Sequence, residues 1–143
     1  MKILNKIREL FFHYTEPDKI ARQRRDTLFT LEDVVNDIVD HRLPEESRNM
    51  ILKMDGPEDM GVFHFNAGMG LRNDLGLWHK QSILHQHFLT RFGIAHADDM
   101  SGLIFDAVWC KVHEIPFDPK PIIQKYRKHW KKQGLNLDQT EIK

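Results

Sequence analysis

The stretch Phe63-His64-Phe65-Asn66-Ala67-Gly68-Met69-Gly70-Leu71-Arg72-Asn73-Asp74-Leu75-Gly76-Leu77-Trp78 decides how this chain reads. With the residues before it, its spacing predicts a helix from near Glu58 to near Asn73, closed by Asn73-Asp74 and Gly76, which turn the chain towards Trp78. That helix would hold Gly61, Gly68 and Gly70, each costing ~1 kcal/mol relative to alanine in a helix interior. Close approach of a neighbouring helix is the usual reason to keep such glycines. On a helix His64, Gly68 and Arg72 fall at i, i+4 and i+8, so they share a stripe, with Phe65 and Met69 beside it. Gly68 would leave a gap between two polar side chains, and the helix as a whole reads as the centre of the fold.

Other helices surround it. Thr30 caps a helix whose acidic Glu32 and Asp33 suit its positive end, and whose apolar face is Leu31, Val34, Val35, Ile38 and Val39. Pro44-Glu45-Glu46 opens the next, with Met50, Ile51 and Met54 on its buried edge. Ser82 to Phe92 is a third, burying Ile83, Leu84, Phe88 and Phe92 and stopping at Gly93. Asp98 or Asp99 is expected to cap a fourth, carrying Met100, Leu103, Ile104, Ala107 and Val108. Asp118-Pro119 begins a last helix, with Ile122, Ile123, Tyr126 and Trp130 on its apolar face and Gly134 after its end. The expectation is all-α: one compact domain of about five or six helices over residues 27–134. Residues 1–26 form an N-terminal arm with an amphipathic helix (Ile3, Leu4, Ile7, Leu10, Phe11), and 135–143 a loose tail.

Composition narrows the function classes. Hydrophobic content of 41% with 29% charged residues fits a folded domain rather than a disordered one. Basic and acidic residues balance at 21 each, so no global field draws the chain to nucleic acid or an anionic membrane. The balance is segmented: residues 1–26 carry a local +3, residues 27–60 a local −6 and residues 118–143 a local +4. Cys110 is the only cysteine and sits in an apolar run, which excludes an intrachain disulfide and favours a reducing compartment. No apolar run approaches the ~20 residues of a membrane span, and the N-terminus lacks the continuous apolar region of a signal peptide. The expected location is cytoplasmic.

Leu31-Glu32-Asp33-Val34-Val35, Phe63 to Asn73, Leu77-Trp78 and His96-Ala97-Asp98-Asp99-Met100-Ser101 together resemble a family of small uncharacterised bacterial and phage domains. That family's pattern runs roughly Leu-Glu-Glu-Ala-Val, His-Phe-Gly-Leu-Gly, Ile-Arg-Asn, Leu-Trp, His-Pro-Asp-Asp. The resemblance covers residues 30 to about 112. This chain departs from the pattern at Asn66 and Ala97, where glycine and proline are preferred. The resemblance brings no activity with it, but it groups His64, Arg72, Asn73, Trp78, Asp98 and Asp99.

Three arrangements suit that group. One is a polar clasp in which Arg72 pairs with Asp98 or Asp99, Asn73 ends its helix and Trp78 packs alongside. Another is a binding pocket on the same residues, with Arg72 as a bidentate anion donor. The third is a catalytic site with His64 as acid or base, Arg72 as anion clamp and Asp98 as orienter. No metal or cofactor is expected: the histidines lack ligand spacing, His85 and His87 pointing apart on a helix. The run Lys125 to Lys132 interleaves Tyr126 and Trp130 with basic residues, a composition that also suits nucleic acid, though i, i+4 spacing turns the two aromatics to one face. The leading expectation is a non-enzymatic protein-binding module of the immunity, antitoxin or phage counter-defence kind. Its partner, another protein, would meet the acidic surface of Glu32, Asp33, Asp37, Glu45 and Glu46. The alternatives are a small hydrolase acting on a phosphorylated substrate through His64, Arg72 and Asp98, and a nucleic-acid binder using the basic C-terminal helix.

Overall fold

In the computed structural model the chain is all-α, and the structure describes residues 27–134. Among them run α1 (Leu31–Asp37), a π-helical turn (Ile38–Arg42), α2 (Glu45–Leu52), a 3-10 helix (Pro57–Phe63), α3 (Asn66–Asp74), α4 (Ile83–Phe92), α5 (Ala97–Val112) and α6 (Lys120–Lys132). The expected N-terminal arm and C-terminal tail lie outside the described residues.

The start of α1 shows how local chemistry sets an element. Thr30 is extended; its Oγ1 accepts from Asp33 N at 3.0 Å, while Asp33 Oδ2 accepts from Thr30 N at 3.2 Å. This reciprocal pair satisfies helix-end amides that would otherwise lack partners. Leu31, Val34, Val35, Ile38 and Val39 then turn inward, as their spacing predicts. Ser82 Oγ caps α4 by accepting from His85 N, and Gly93 stops it in the left-handed region at φ 68°. Ile83, expected in the core, is 63% exposed: it is the first helical residue and points outward.

The centre of the fold is α5, not the Glu58–Asn73 segment. Its Met100, Leu103, Ile104 and Val108 have no exposed surface, and it packs against α1, the π-turn, α2, the 3-10 helix and α3. Trp109 Nε1 donates to Met54 O at 3.3 Å, and a ring nitrogen of His113 lies 2.9 Å from Ile51 O, tying the end of α2 to α5. Complete burial of side chains such as Leu103 or Ile104 contributes ~2 kcal/mol each before entropy is counted.

The expected continuous helix is two pieces. Pro57 opens a 3-10 turn after extended Gly56, His64 N donates to Gly61 O in the i, i+3 pattern, and α-helical bonding resumes with Met69 N to Phe65 O. A 3-10 helix repeats every three residues, so its side chains stack in rows. Met60 and Phe63 form the inward row, each 1% exposed, and Ala67 continues it into α3. Asp59, Val62 and Phe65 form an outward row, and Glu58, Gly61 and His64 a third. Gly61 needs no close neighbour: a Cβ there would meet nothing within 4 Å. Gly68 does, since a Cβ would lie 2.8 Å from Arg72 Nη1 and 3.4 Å from Phe105 Cε2.

Candidate functional site

The gap expected beside Gly68 is filled from within. The Arg72 side chain folds back along its own helix over Gly68 and is 5% exposed. Its Nη1 donates to Ser101 Oγ at 2.9 Å and to the backbone carbonyl of His64 at 3.4 Å. Its Nε lies 3.2 Å from Asp98 Oδ1, a charge contact whose angle falls short of a hydrogen bond. Ser101 Oγ in turn donates to Asp98 O at 2.9 Å. One guanidinium thus joins the 3-10/α3 junction to the first turn of α5. A buried cation requires such partners, and here they hold a corner of the fold rather than line an opening.

The rest of the grouped residues divide. His64 gives the clasp its carbonyl, while its ring is half-buried and meets Phe65 edge-on at 5.9 Å. Asn73 is exposed at the end of α3, where its carbonyl accepts from Gly76 N. Neither Asp98 nor Asp99 caps α5. That role falls to His96, whose Nδ1 accepts from Asp98 N at 3.1 Å, leaving the ring proton on Nε2. The same Nδ1 is 3.8 Å from Asp98 Oδ2; an acceptor nitrogen makes that proximity rather than an ion pair. Asp99 Oδ2 accepts from Trp130 Nε1 at 2.7 Å, and burial pushes its carboxyl up from the usual range. Trp78, 51% exposed, meets His96 edge-on, and His96 also contacts Trp130. His85 fixes the turn before α4 by donating from Nδ1 to Leu77 O at 2.7 Å.

The third row of the 3-10 helix borders a cleft of about 260 Å³ against α5 and α6, reached by Glu58, His64, Asp98, Asp99 and Asp106 with Lys125 and Tyr126. Sequence reading missed Asp106 and the reason for Gly102. Both sit one face over from the apolar stripe of α5, and Gly102 has no room for a Cβ because the Tyr126 hydroxyl occupies that space. Asp106 is pushed up to about 7, first by burial and then by Glu58, against the pull of Lys125. Burial and Asp106 push the Tyr126 hydroxyl up, and they push the Cys110 thiol up as well, the opposite of what a thiolate nucleophile requires. Among the described residues no group of three His, Cys, Asp or Glu side chains is placed to hold a metal ion.

On the other side of the same corner lies an apolar row. Val62 is 55% exposed, Phe65 78% and Met69 57%. They follow one another at i, i+3 and i+7, with exposed Asp59 at one end and exposed Asn73 at the other. Asp55, whose backbone N donates to Asp59 Oδ2 at 3.1 Å, is also exposed and adds to the acidic end. Of the five acidic residues expected to form a partner surface, Asp33 is engaged in the cap of α1 and Asp37 pairs with Arg42 at 3.3 Å. Glu32, Glu45 and Glu46 are exposed. In the basic C-terminal helix, Tyr126 and Trp130 are half-buried against α5, while Lys125, Lys128, Lys131 and Lys132 face water.

A family model described as a domain of unknown function (DUF6794) matches residues 29–112. The chain belongs to that family. The matched span runs from the residue before the α1 cap through the end of α5, so it holds the Arg72 clasp and the Val62–Met69 row, while α6 lies beyond it. No curated protein and no solved structure matches the chain. No helix among the described residues is long and apolar enough to cross a membrane.

Proposed function

We propose that this chain is a non-enzymatic protein-binding module whose docking face is the row Val62, Phe65 and Met69 with its acidic end. The observation that carries this reading is the exposure of three large apolar side chains in line, on a segment whose inward row is 1% exposed at Met60 and Phe63. Exposed apolar groups cost solubility unless a partner covers them. Arg72 holds the corner beneath them, so the row is presented on a fixed backbone, which lowers the ordering cost of binding. Asp55 and Asp59 favour a partner segment that sets basic residues beside apolar anchors, the helix-on-surface mode of recognition. A cytoplasmic bacterial or phage role of the immunity, antitoxin or counter-defence kind fits such a module.

Titration of the isotope-labelled chain with a short leucine–lysine amphipathic peptide tests it. The amide signals of Val62 to Asn73 are expected to move, and a leucine–glutamate peptide of the same pattern is expected to leave them in place. Equal response to both peptides, or shifts confined to other surfaces, would refute the reading.

One observation favours an enzyme instead: His64 and Asp106, the latter near 7, share one cleft. Arg72, the expected anion clamp, is buried in the clasp and does not line that cleft. A hydrolase reading therefore rests on His64 and Asp106, and activity lost on His64→Ala with Tm unchanged would establish it.

A further inference from the structure

The exposed Trp78 and the basic α6 meet at His96. Trp78 is 51% exposed and stands edge-on to the His96 ring, with centroids 5.8 Å apart. His96 in turn lies 5.4 Å from the Trp130 ring. The three rings come from the turn after α3, the start of α5 and α6, and a hydrogen bond at or beside each one fixes it. Leu77, just before Trp78, is fully buried, and its carbonyl accepts from His85 Nδ1. His96 caps α5 through its own Nδ1, and Trp130 Nε1 donates to Asp99. Part of each ring stays accessible, the His96 side chain being 40% exposed and Trp130 half-buried. Beside His96 and Trp130 opens a cavity of about 210 Å³, with Ile94, Ile123 and Tyr126 as apolar walls and Asp99 as a polar one. A cavity of ~150 Å³ takes benzene, so this one admits a single flat ring system.

Basic side chains flank both ends of this ring series. His79 and Lys80 follow Trp78 and are exposed. α6 carries Arg127 and five lysines with no acidic residue, and Lys128, Lys131 and Lys132, neighbours of Trp130 in sequence, are exposed. Aromatic faces edged by cations suit single-stranded nucleic acid: bases stack on the rings whatever their sequence, and phosphates meet the cations. A duplex keeps its bases stacked on one another and out of reach. An anionic membrane suits the surface less well. Asp98 lies beside the His96 ring and Asp99 holds Trp130, and lipid would have to desolvate both carboxyl groups. Amino groups on a base edge can instead donate to them. We propose that the surface from Trp78 across His96 to Trp130 binds single-stranded nucleic acid. One base enters the cavity, and the phosphates meet Lys80, Lys128, Lys131 and Lys132. None of these residues belongs to the Val62–Met69 row, so the two surfaces are separable by mutation.

The test is fluorescence anisotropy of a labelled short oligothymidylate, and of the matching oligouridylate, titrated with the full chain from roughly 50 mM salt upward. Phosphate contacts from the four lysines predict a slope of about −3 for log affinity against log salt. Lys128→Gln combined with Lys131→Gln is expected to halve that slope. Trp78→Ala is expected to weaken binding about 5- to 150-fold with the slope and Tm unchanged, and Trp78→Phe, which keeps a ring, to retain most of the affinity. The tighter of the two oligomers identifies the strand as DNA or RNA. Failure of both to bind, equal binding of a duplex of the same length, wild-type affinity in Trp78→Ala, or capture by phosphatidylserine vesicles alone would overturn the proposal.

Discussion

Replacing Asp106 with asparagine gives the most quantitative handle on the structure. Asp106 ionises near 3.8 in an unfolded chain and at about 7 here, because burial in the cleft wall outweighs the pull of Lys125, with a smaller push from Glu58. The folded state therefore keeps its proton to higher pH than the unfolded state does. The stabilisation this gives is complete below about 3.8 and is lost as pH rises through about 7. The full difference corresponds to ~4 kcal/mol, of which ~3 kcal/mol falls between pH 4.5 and pH 8. Asp106→Asn keeps the shape and removes the titration. Urea unfolding of both proteins at those two pH values is expected to show the variant gaining ~3 kcal/mol relative to the wild type on going to pH 8. Other carboxyls with raised values, such as Asp99, cancel in the comparison. A stability difference between the two proteins that stays constant with pH would refute the placement of Asp106 in a desolvated cleft.

Further outcomes follow from the same geometry. Arg72→Ala removes the donor to Ser101 Oγ and His64 O and the cation beside Asp98, and is expected to cost ~2–3 kcal/mol by urea unfolding. Gly68→Ala places a Cβ against Arg72 Nη1 and is expected to cost ~1–3 kcal/mol, whereas Gly61→Ala, with open space around it, should stabilise by ~0.4–1 kcal/mol. Glu114, just past the end of α5, sits in the left-handed region at φ 56°, so Glu114→Gly should raise stability by ~1 kcal/mol in the same assay. Charge reversal at Glu45 and Glu46, away from the apolar row in sequence, should leave capture of a basic amphipathic peptide unchanged; weakened capture would move the docking face to the start of α2.

Much of the fold is legible in the sequence because the signals are local. Thr30 with Asp33, Ser82, and Gly93 at the end of α4 each carry their chemistry within four residues. The inward positions of the central stretch also survive the wrong element type. Met60, Phe63 and Ala67 fall on one face whether the period is 3.0 or 3.6. What the period changes is the outside. A continuous α-helix would align the His64, Gly68 and Arg72 side chains. The 3-10 turn instead brings Phe65 into line with Val62 and leaves only the carbonyl of His64 on Arg72. The cap of α5 is hard to read for a related reason: aspartate is the commoner cap, and only the backbone path shows that His96 stands one residue outside the helix. Asp106 and Gly102 were hidden because their significance depends on Tyr126, about twenty residues away in sequence and on another helix.

The central claim is that the Val62–Phe65–Met69 row is a docking face held from beneath by Arg72. Its most direct test is Phe65→Ala, measured for affinity to the leucine–lysine peptide and for thermal stability in parallel. With Phe65 78% exposed, Tm should hold while affinity falls about tenfold or more, the scale of a binding hot spot. Unchanged affinity, or a loss that appears only together with a lowered Tm, would contradict the account.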